Sequence, residues 1–233
     1  MTPALAVTVP GVHTTVQDRG RPGYQDVGLP ASGPLDRVSL RLANALVGNP
    51  PETPAFEMLL QGPTLKVLAD SVRVALVGCN GTIEIRSANA RVIPAGRSVR
   101  LVRDEVFRIG ALRDSVCAYL AIEGGLDIAP VLGSASTHVR GALGGFHGRR
   151  LQANDRVPLK LARVTDRVEH ALAQPLDLAL EQPVRVVLGP QADFFTPEAV
   201  ATFLSSDYVV TPQADRMGYR LDGPVLAHAR GYN

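Results

Sequence analysis

Residues 14–36 read T-T-V-Q-D-R-G-R-P-G-Y-Q-D-V-G-L-P-A-S-G-P-L-D, with Gly20, Pro22, Gly23, Gly28, Pro30, Gly33 and Pro34 breaking every regular pattern. Glycine admits positive φ and lets the backbone approach a neighbour closely. A loop of this length is either functional or disordered. Apolar residues on both sides argue for order: Val7, Val9, Val12 and Val16 before it, Leu40, Leu42, Leu46 and Val47 after it. Its polar side chains are Gln17, Asp18, Arg19, Arg21, Gln25, Asp26, Ser32 and Asp36. Loops on a rigid scaffold commonly carry binding chemistry. The plainer alternative is an ordered surface loop whose arginines face water.

The chain around the loop reads mostly as β. Residues 5–9 and 14–17 are short extended runs. From Leu35 the apolar residues Leu35, Val38, Leu42, Ala45 and Leu46 recur at a helical period, which predicts a helix. Ser32 or Gly33 is the expected cap, with Pro34 in the first turn, and Gly48-Asn49-Pro50 is the expected stop. Strands are then expected at 55–60, 64–68, 72–77, 81–86, 97–102, 106–109, 116–122, 156–161 and 183–188. Close spacing with Gly and Pro turns suggests a barrel or sandwich. Long helices between strands are missing, which argues against a doubly wound fold. Residues 162–182 read as a mobile linker with spacing that also suits a short helix. They divide an N-terminal β-rich domain, 1–165, from a second unit, 183–233. In that unit Thr196 is expected to cap a short helix through Leu204, before a strand at 207–211.

Composition narrows the function. Apolar residues make 45% of the 233-residue chain and charged residues 20%, as in a globular protein. A net charge of +2 gives no broad nucleic-acid footprint. Cys79 and Cys117 have neither disulfide-framework nor zinc spacing. No signal pattern opens the chain and no apolar run nears the ~18 residues of a membrane helix, so a soluble, cytoplasmic protein is expected. A second glycine-rich stretch, 123–150, matches no nucleotide-binding pattern. Its Ser134, Ser136, Thr137 and His138 are read as turn chemistry. None of the five histidines stands at metal-ligand spacing. No G-x-S-x-G elbow is present.

The segment Q-A-D-R-M-G-Y-R (213–220) echoes Gln17–Gln25, and both continue toward a Gly-Pro pair. With A-N-A-L-V-G-N (43–49), A-F-E (55–57), Q-G-P (61–63), Y-L-A-I-E-G-G (119–125), L-G-S-A-S-T (132–137), G-A-L-G-G-F-H-G-R-R-L (141–151), L-G-P-Q (188–191) and D-R-M-G-Y-R-L-D-G-P (215–224), the blocks cover nearly the whole chain. They resemble the allophanate hydrolase subunit 2 family, also called the biotin-dependent carboxyltransferase or KipA family. It includes the C subunit of bacterial 5-oxoprolinase and part of the carboxyltransferase domain of urea carboxylase. The resemblance implies a mainly β, cyclophilin-like fold of barrel-like units with a few short helices. It implies two partners: a subunit 1 protein (KipI-like, the B subunit of 5-oxoprolinase) and the A subunit of that enzyme. One activity it implies is ATP-dependent opening of 5-oxoproline to glutamate, with ATP and Mg²⁺ supplied in the complex. The alternative is carboxyl transfer from carboxybiotin, carried by a partner, to urea or a similar amide. A non-catalytic regulatory binder is a third reading. Two departures stand out. The usual S-G-A-M-D is here Ser32-Gly33-Pro34-Leu35-Asp36, and family members run on past the D-R-M-G block, so the last strands of the second unit are expected to be missing.

Both chemistries require anion recognition, which guanidinium forks supply through paired hydrogen bonds. Arg19, Arg21 and Arg216 are the expected ligand clamps. The two turns that carry them are expected to converge on a negatively charged small molecule. Asp18, Asp36 and Asp215 are the candidate bases, metal-side carboxylates or arginine-orienting groups; the alternative is that Asp-Arg pairs brace two loops. Gln17, Ser32 and Asn44 are candidates to hydrogen-bond an amide or ureido group. Glu57 lies in an apolar run and, if buried, must be paired or neutral.

Overall fold

The structure, a computed structural model, describes residues 2–87, 89–178, 183–213, 216 and 218–229. The chain forms two compact units, Met1–Ala179 and Leu180–Asn233. In the first, the strands are β1 (Ala4–Val9), β2 (His13–Gln17), β3 (Ala55–Leu59), β4 (Thr64–Val67), β5 (Ser71–Val77), β6 (Thr82–Arg86), β7 (Arg91–Pro94), β8 (Ser98–Val102), β9 (Val106–Ile109), β10 (Cys117–Ile122) and β11 (Arg156–Pro158), with one helix, α1 (Arg37–Val47). They build a six-stranded sheet, β11-β1-β4-β9-β6-β7, and a five-stranded sheet, β2-β3-β10-β5-β8. The fold is mainly β and its ladders are antiparallel.

Strand alternation assigns each side chain to a layer. Leu5, Leu65, Ile83 and Phe107 of the first sheet meet Phe56, Val74, Leu76 and Leu120 of the second in one buried core. Truncating such a residue, Phe56→Ala for instance, costs about 3–5 kcal/mol through lost burial and the cavity left behind. The other face of the five-stranded sheet is buried too. There Leu40, Ala43, Leu46 and Val47 of α1 pack on Ala55, Ala75, Val77, Tyr119 and Ala121. Hence β10 is apolar on both faces. The alanines let the helix axis come close to the sheet.

The helix lies where its period placed it, but its phase and start differ from the expectation. Leu35 and Val38 are exposed, and the buried stripe runs through Leu40, Ala43, Leu46 and Val47. Asp36, rather than Ser32 or Gly33, is the cap: its Oδ1 accepts the N–H groups of Val38 at 2.9 Å and Ser39 at 3.0 Å. The Leu35 N–H is held by Glu57, which keeps the chain before Asp36 out of the helix. Gly48, at φ 81°, ends α1.

Residues 162–172, read as a linker, are instead laid along β5 and β8. The Val164 N–H donates to Ser71, the Ser98 N–H to the His170 carbonyl and the Leu172 N–H to the Gly96 carbonyl. Strand β7 was not anticipated; it is a short, partly exposed return of β6. The second unit holds α2 (Pro197–Ser205), capped by Thr196 as expected, and a two-residue pairing of β12 (Val209–Val210) with β13 (Leu221–Asp222). The strand expected at 183–188 is irregular, with Val184 and Val187 exposed.

Candidate functional site

The signature loop leaves β2 and closes on itself. The Arg21 N–H donates to the Ala31 carbonyl at 2.7 Å. Gly20 and Gly33, both at positive φ, touch at this neck: a Cβ on Gly20 would lie 2.6 Å from the Ala31 carbonyl oxygen. Only glycine fits such a crossing. Residues 22–28 project beyond the neck and are mostly exposed.

Asp18 ties this neck to the second glycine-rich stretch. Its Oδ1 accepts the Gly20 N–H at 2.9 Å and the hydroxyls of Ser134 and Ser136 at 2.5 and 2.6 Å; its Oδ2 accepts the Ala135 N–H at 2.7 Å. Ser134, Ser136 and Thr137, read from sequence as local turn chemistry, therefore serve a contact more than a hundred residues away in the chain. Their signal was the run of small hydroxyl or methyl side chains beside glycines, which suits a carboxylate that must be solvated without water.

Arg21 is 1% exposed. Its guanidinium donates to the carbonyls of Ser136, Val131 and Ser134 and to the Ser32 hydroxyl. Burial pushes its pKa down, and the Asp18 charge partly counters this. Gly144 must be glycine here, since a Cβ would collide with the Ser136 carbonyl and the Arg21 guanidinium. Arg21 thus braces two loops, and its donors face main-chain oxygens rather than solvent.

The remaining candidates sort by what they touch. Arg19 is exposed. Asp36 caps α1 and also accepts the Ser39 hydroxyl at 2.5 Å. Asn44 is buried, donates to the carbonyls of Pro51 and Thr53 and accepts from Asn49; it fastens the helix end. Asn49 in turn holds Ile122 and Gly124. Gln17 is fully buried, and its amide group donates to Thr15 and to the Thr137 carbonyl. Arg216, in the second unit, is half-buried, and Asp215 lies outside the described residues. Asp18, Arg21, Ser32 and Gln17 are therefore brought together; Asn44 and the Asp36 carboxylate work at the two ends of α1.

Two buried polar clusters were not picked out as sites from sequence. Glu57 accepts the Tyr119 hydroxyl at 2.6 Å and the Leu35 N–H at 2.9 Å, so it is paired as burial requires. Arg73, wholly buried on β5, bonds Glu123 and Glu169 and donates to the Thr165 carbonyl. A charged residue inside an apolar strand pattern was the available signal for both.

Both loops carry exposed charged side chains, Arg19 and Asp26 on the first and Arg140 and Arg150 on the second. Residues 128–154 contain Arg140, Arg149 and Arg150 and no acidic residue. Arg149 is paired with Asp155. Arg19, Arg140 and Arg150 are exposed. Among the described residues no three His, Cys, Asp or Glu side chains converge to hold a metal ion, and no helix is long and apolar enough to cross a membrane.

Comparison with known proteins agrees with this architecture. The chain is 36% identical to urea amidolyase of Saccharomyces cerevisiae over 97% of its own length, but spans only 13% of that protein. It is 31% identical to the C subunit of 5-oxoprolinase of Escherichia coli, covering 95% of this chain and 69% of that relative. The crystal structure of Kluyveromyces lactis urea carboxylase superposes with a TM-score of 0.82 at 32% identity, over 99% of this chain and 21% of that one. The family described as carboxyltransferase domain, subdomain A and B, matches residues 27–232, and the chain belongs to it.

Proposed function

We propose that this chain is one component of an ATP-dependent 5-oxoprolinase, opening 5-oxoproline to glutamate in the cytoplasm. Its partners there are a subunit 1 protein (KipI-like, the B subunit of 5-oxoprolinase) and the A subunit of that enzyme. The observation that supports the reading is the match itself: the chain is 31% identical to the C subunit of 5-oxoprolinase over 95% of its length. Exposed arginines on the two loops support it. 5-Oxoproline presents a carboxylate, and Arg19 and Arg150 stand exposed on or beside loops held rigid by Asp18 and Arg21. A guanidinium on a preorganised loop binds a planar oxyanion with little ordering cost.

The cofactor would belong to the complex. Asp18 and Asp36 have their oxygens committed to N–H and O–H donors. These two carboxylates thus make no ready pair for Mg²⁺. ATP supplies the free energy that amide opening needs; this chain's part is to bind and orient the substrate carboxylate.

A second reading, the carboxyltransferase component of a biotin-dependent urea or amide carboxylase, is favoured by the higher identity to urea amidolyase. There the same arginines would meet the carboxylate of carboxybiotin, brought by a partner. The deciding experiment is a reconstitution. The chain and its two 5-oxoprolinase partners are assayed for glutamate release from 5-oxoproline with ATP, in parallel with carboxybiotin-dependent carboxylation of urea. Glutamate release that requires this chain is the expected result. No release from an intact partner set overturns the first reading.

A further inference from the structure

We infer that one end of the first unit, where the chain crosses between the two sheets, is a docking surface for a second copy of this chain. The inference is independent of the reaction proposed above.

Three crossings meet at that end: residues 10–12 between β1 and β2, 60–63 between β3 and β4, and 110–116 between β9 and β10. Main-chain bonds tie them together. The Val12 N–H donates to the Gln61 carbonyl at 3.1 Å, the Gly62 N–H to the Gly110 carbonyl at 3.1 Å and the Leu60 N–H to the Val116 carbonyl at 3.0 Å. Extending the β2–β3 and β3–β10 registers by one residue sets Val12 and Val116 on either side of Leu60. Val12, Val116 and Leu60 are 52%, 52% and 56% exposed, and Val9, at the end of β1, is 47% exposed. Roughly half of each of these large apolar side chains makes a few hundred Å² in all, the scale of the largest patch on a typical monomer. Leu60 sits at φ 63°, a left-handed conformation that Gly or Asn adopts more readily. A leucine there carries both backbone strain and exposed apolar area, and little packing within the unit offsets either. Such strain is characteristic of sites kept for a function.

Charge points to the occupant. The three crossings contain no charged residue except Arg113 and Asp114, which are neighbours and both exposed. Depletion of charge is the compositional mark of an interface centre. The charged pair borders the patch, because Leu112 and Val116, on either side of it, are both bonded to Leu60. Asp114 is fixed in place: it too has a positive φ, 57°, and Asn80 donates to its Oδ2 at 2.8 Å. A border of one cation beside one anion is complementary to itself. In a two-fold contact each copy's Arg113 meets the other's Asp114, with the uncharged apolar residues between them. No like charges are opposed, so self-pairing carries no electrostatic penalty. A patch this small makes the centre of a weak interface, and micromolar association is expected.

Sedimentation equilibrium on the full chain tests this. Wild type is expected to show a monomer–dimer equilibrium in the micromolar range. Leu60→Asn removes the apolar side chain and relieves the left-handed turn. It is expected to weaken the dimer at least about tenfold, with no fall in the melting temperature of the monomer. Arg113→Glu, which sets acidic groups together across the contact, is expected to weaken it too. Val92→Asn, at an exposed position on β7, is expected to leave it unchanged. A wild type that stays monomeric through that range overturns the inference. So does a dimer that Leu60→Asn leaves intact, or one that Val92→Asn weakens as much. If Leu60→Asn unfolds the chain, Val116→Thr decides: a weakened dimer supports the inference and an intact one overturns it. A monomer whose amides at residues 10–12 and 60–63 gain hydrogen-exchange protection only with an added subunit 1 protein assigns the surface to that partner, and overturns the second copy as occupant.

Discussion

Tyr119 and Glu57 face each other across the β3–β10 ladder, and the tyrosine hydroxyl donates to the carboxylate at 2.6 Å while accepting the Asp36 N–H at 2.9 Å. One phenol thereby joins the five-stranded sheet to the start of α1 and to the exit of the signature loop. Burial, and then the Glu57 charge, push its pKa far up, so it stays a donor at every workable pH. Tyr119→Phe removes a donor from a buried carboxylate and an acceptor from a main-chain N–H. The expected loss is about 1–3 kcal/mol, read from the urea midpoint at constant m-value. An unchanged midpoint would show that water replaces the hydroxyl.

Arg73 makes the corresponding tie on the other half of the same sheet face. Burial lowers its pKa, but Glu123 and Glu169 outweigh this and the net shift is upward. Glu169 also accepts the Ser98 hydroxyl at 2.5 Å. Arg73→Met leaves Glu169 without its cation and Glu123 with Arg167 alone, at 3.7 Å, which costs about 3–5 kcal/mol. Limited proteolysis should then cut within residues 163–172, a segment expected to resist cleavage in the wild type. Glu169→Gln, which keeps a hydrogen-bonding group, should do less of both.

Acid stability should depend on Asp155. The Arg149 fork first, and then the Gln152 N–H, hold its carboxyl below the usual range. A folded-state pKa below the unfolded value of about 3.9 gives stability that is present above that value. It is lost as pH falls through the folded pKa. Asp155→Asn should therefore be less stable than wild type near neutrality, and the two should converge once the pH has fallen through the folded-state pKa. A deficit that persists unchanged into acid would assign the loss to packing rather than to the ion pair.

What the sequence revealed follows from the range of each interaction. Gly48 and Thr196 act within their own helix ends, and both were legible as stop and cap. The helix period was legible as well, but its phase was not. Which face of α1 is buried depends on Ala75 and Ala121, residues far along the chain. Asp36 as cap was hidden because the decisive competitor, the bond from the Leu35 N–H to Glu57, crosses from loop to sheet. The strap over β5 and β8 read as a linker because its anchors, Ser71, Arg73 and Ser98, belong to distant strands. Within the site, the signature loop was plain from Gly20 and Gly33. That Asp18 and Arg21 hold it to residues 131–137 was not, since side-chain hydrogen bonds across more than a hundred residues leave no local pattern.

Asp18 and Arg19 are neighbours with opposite roles, and paired variants separate them. Four donors converge on the Asp18 carboxylate. In Asp18→Asn an N–H₂ group must face at least one of those donors, and the charge that strengthens the other bonds is gone. Hydrogen bonds to a charged group are worth about 1.5–3 kcal/mol each, so the loss should exceed about 2 kcal/mol. Protease should then cut within residues 22–28 and 138–147. Arg19→Ala, at an exposed side chain, should change stability by no more than about 0.5 kcal/mol. In the reconstituted complex it should nonetheless weaken 5-oxoproline binding, because the exposed guanidinium can meet the carboxylate. The opposite pattern, a sharply lower melting point for Arg19→Ala with affinity intact, would make Arg19 a second brace beside Arg21 and leave Arg150 to bind the anion.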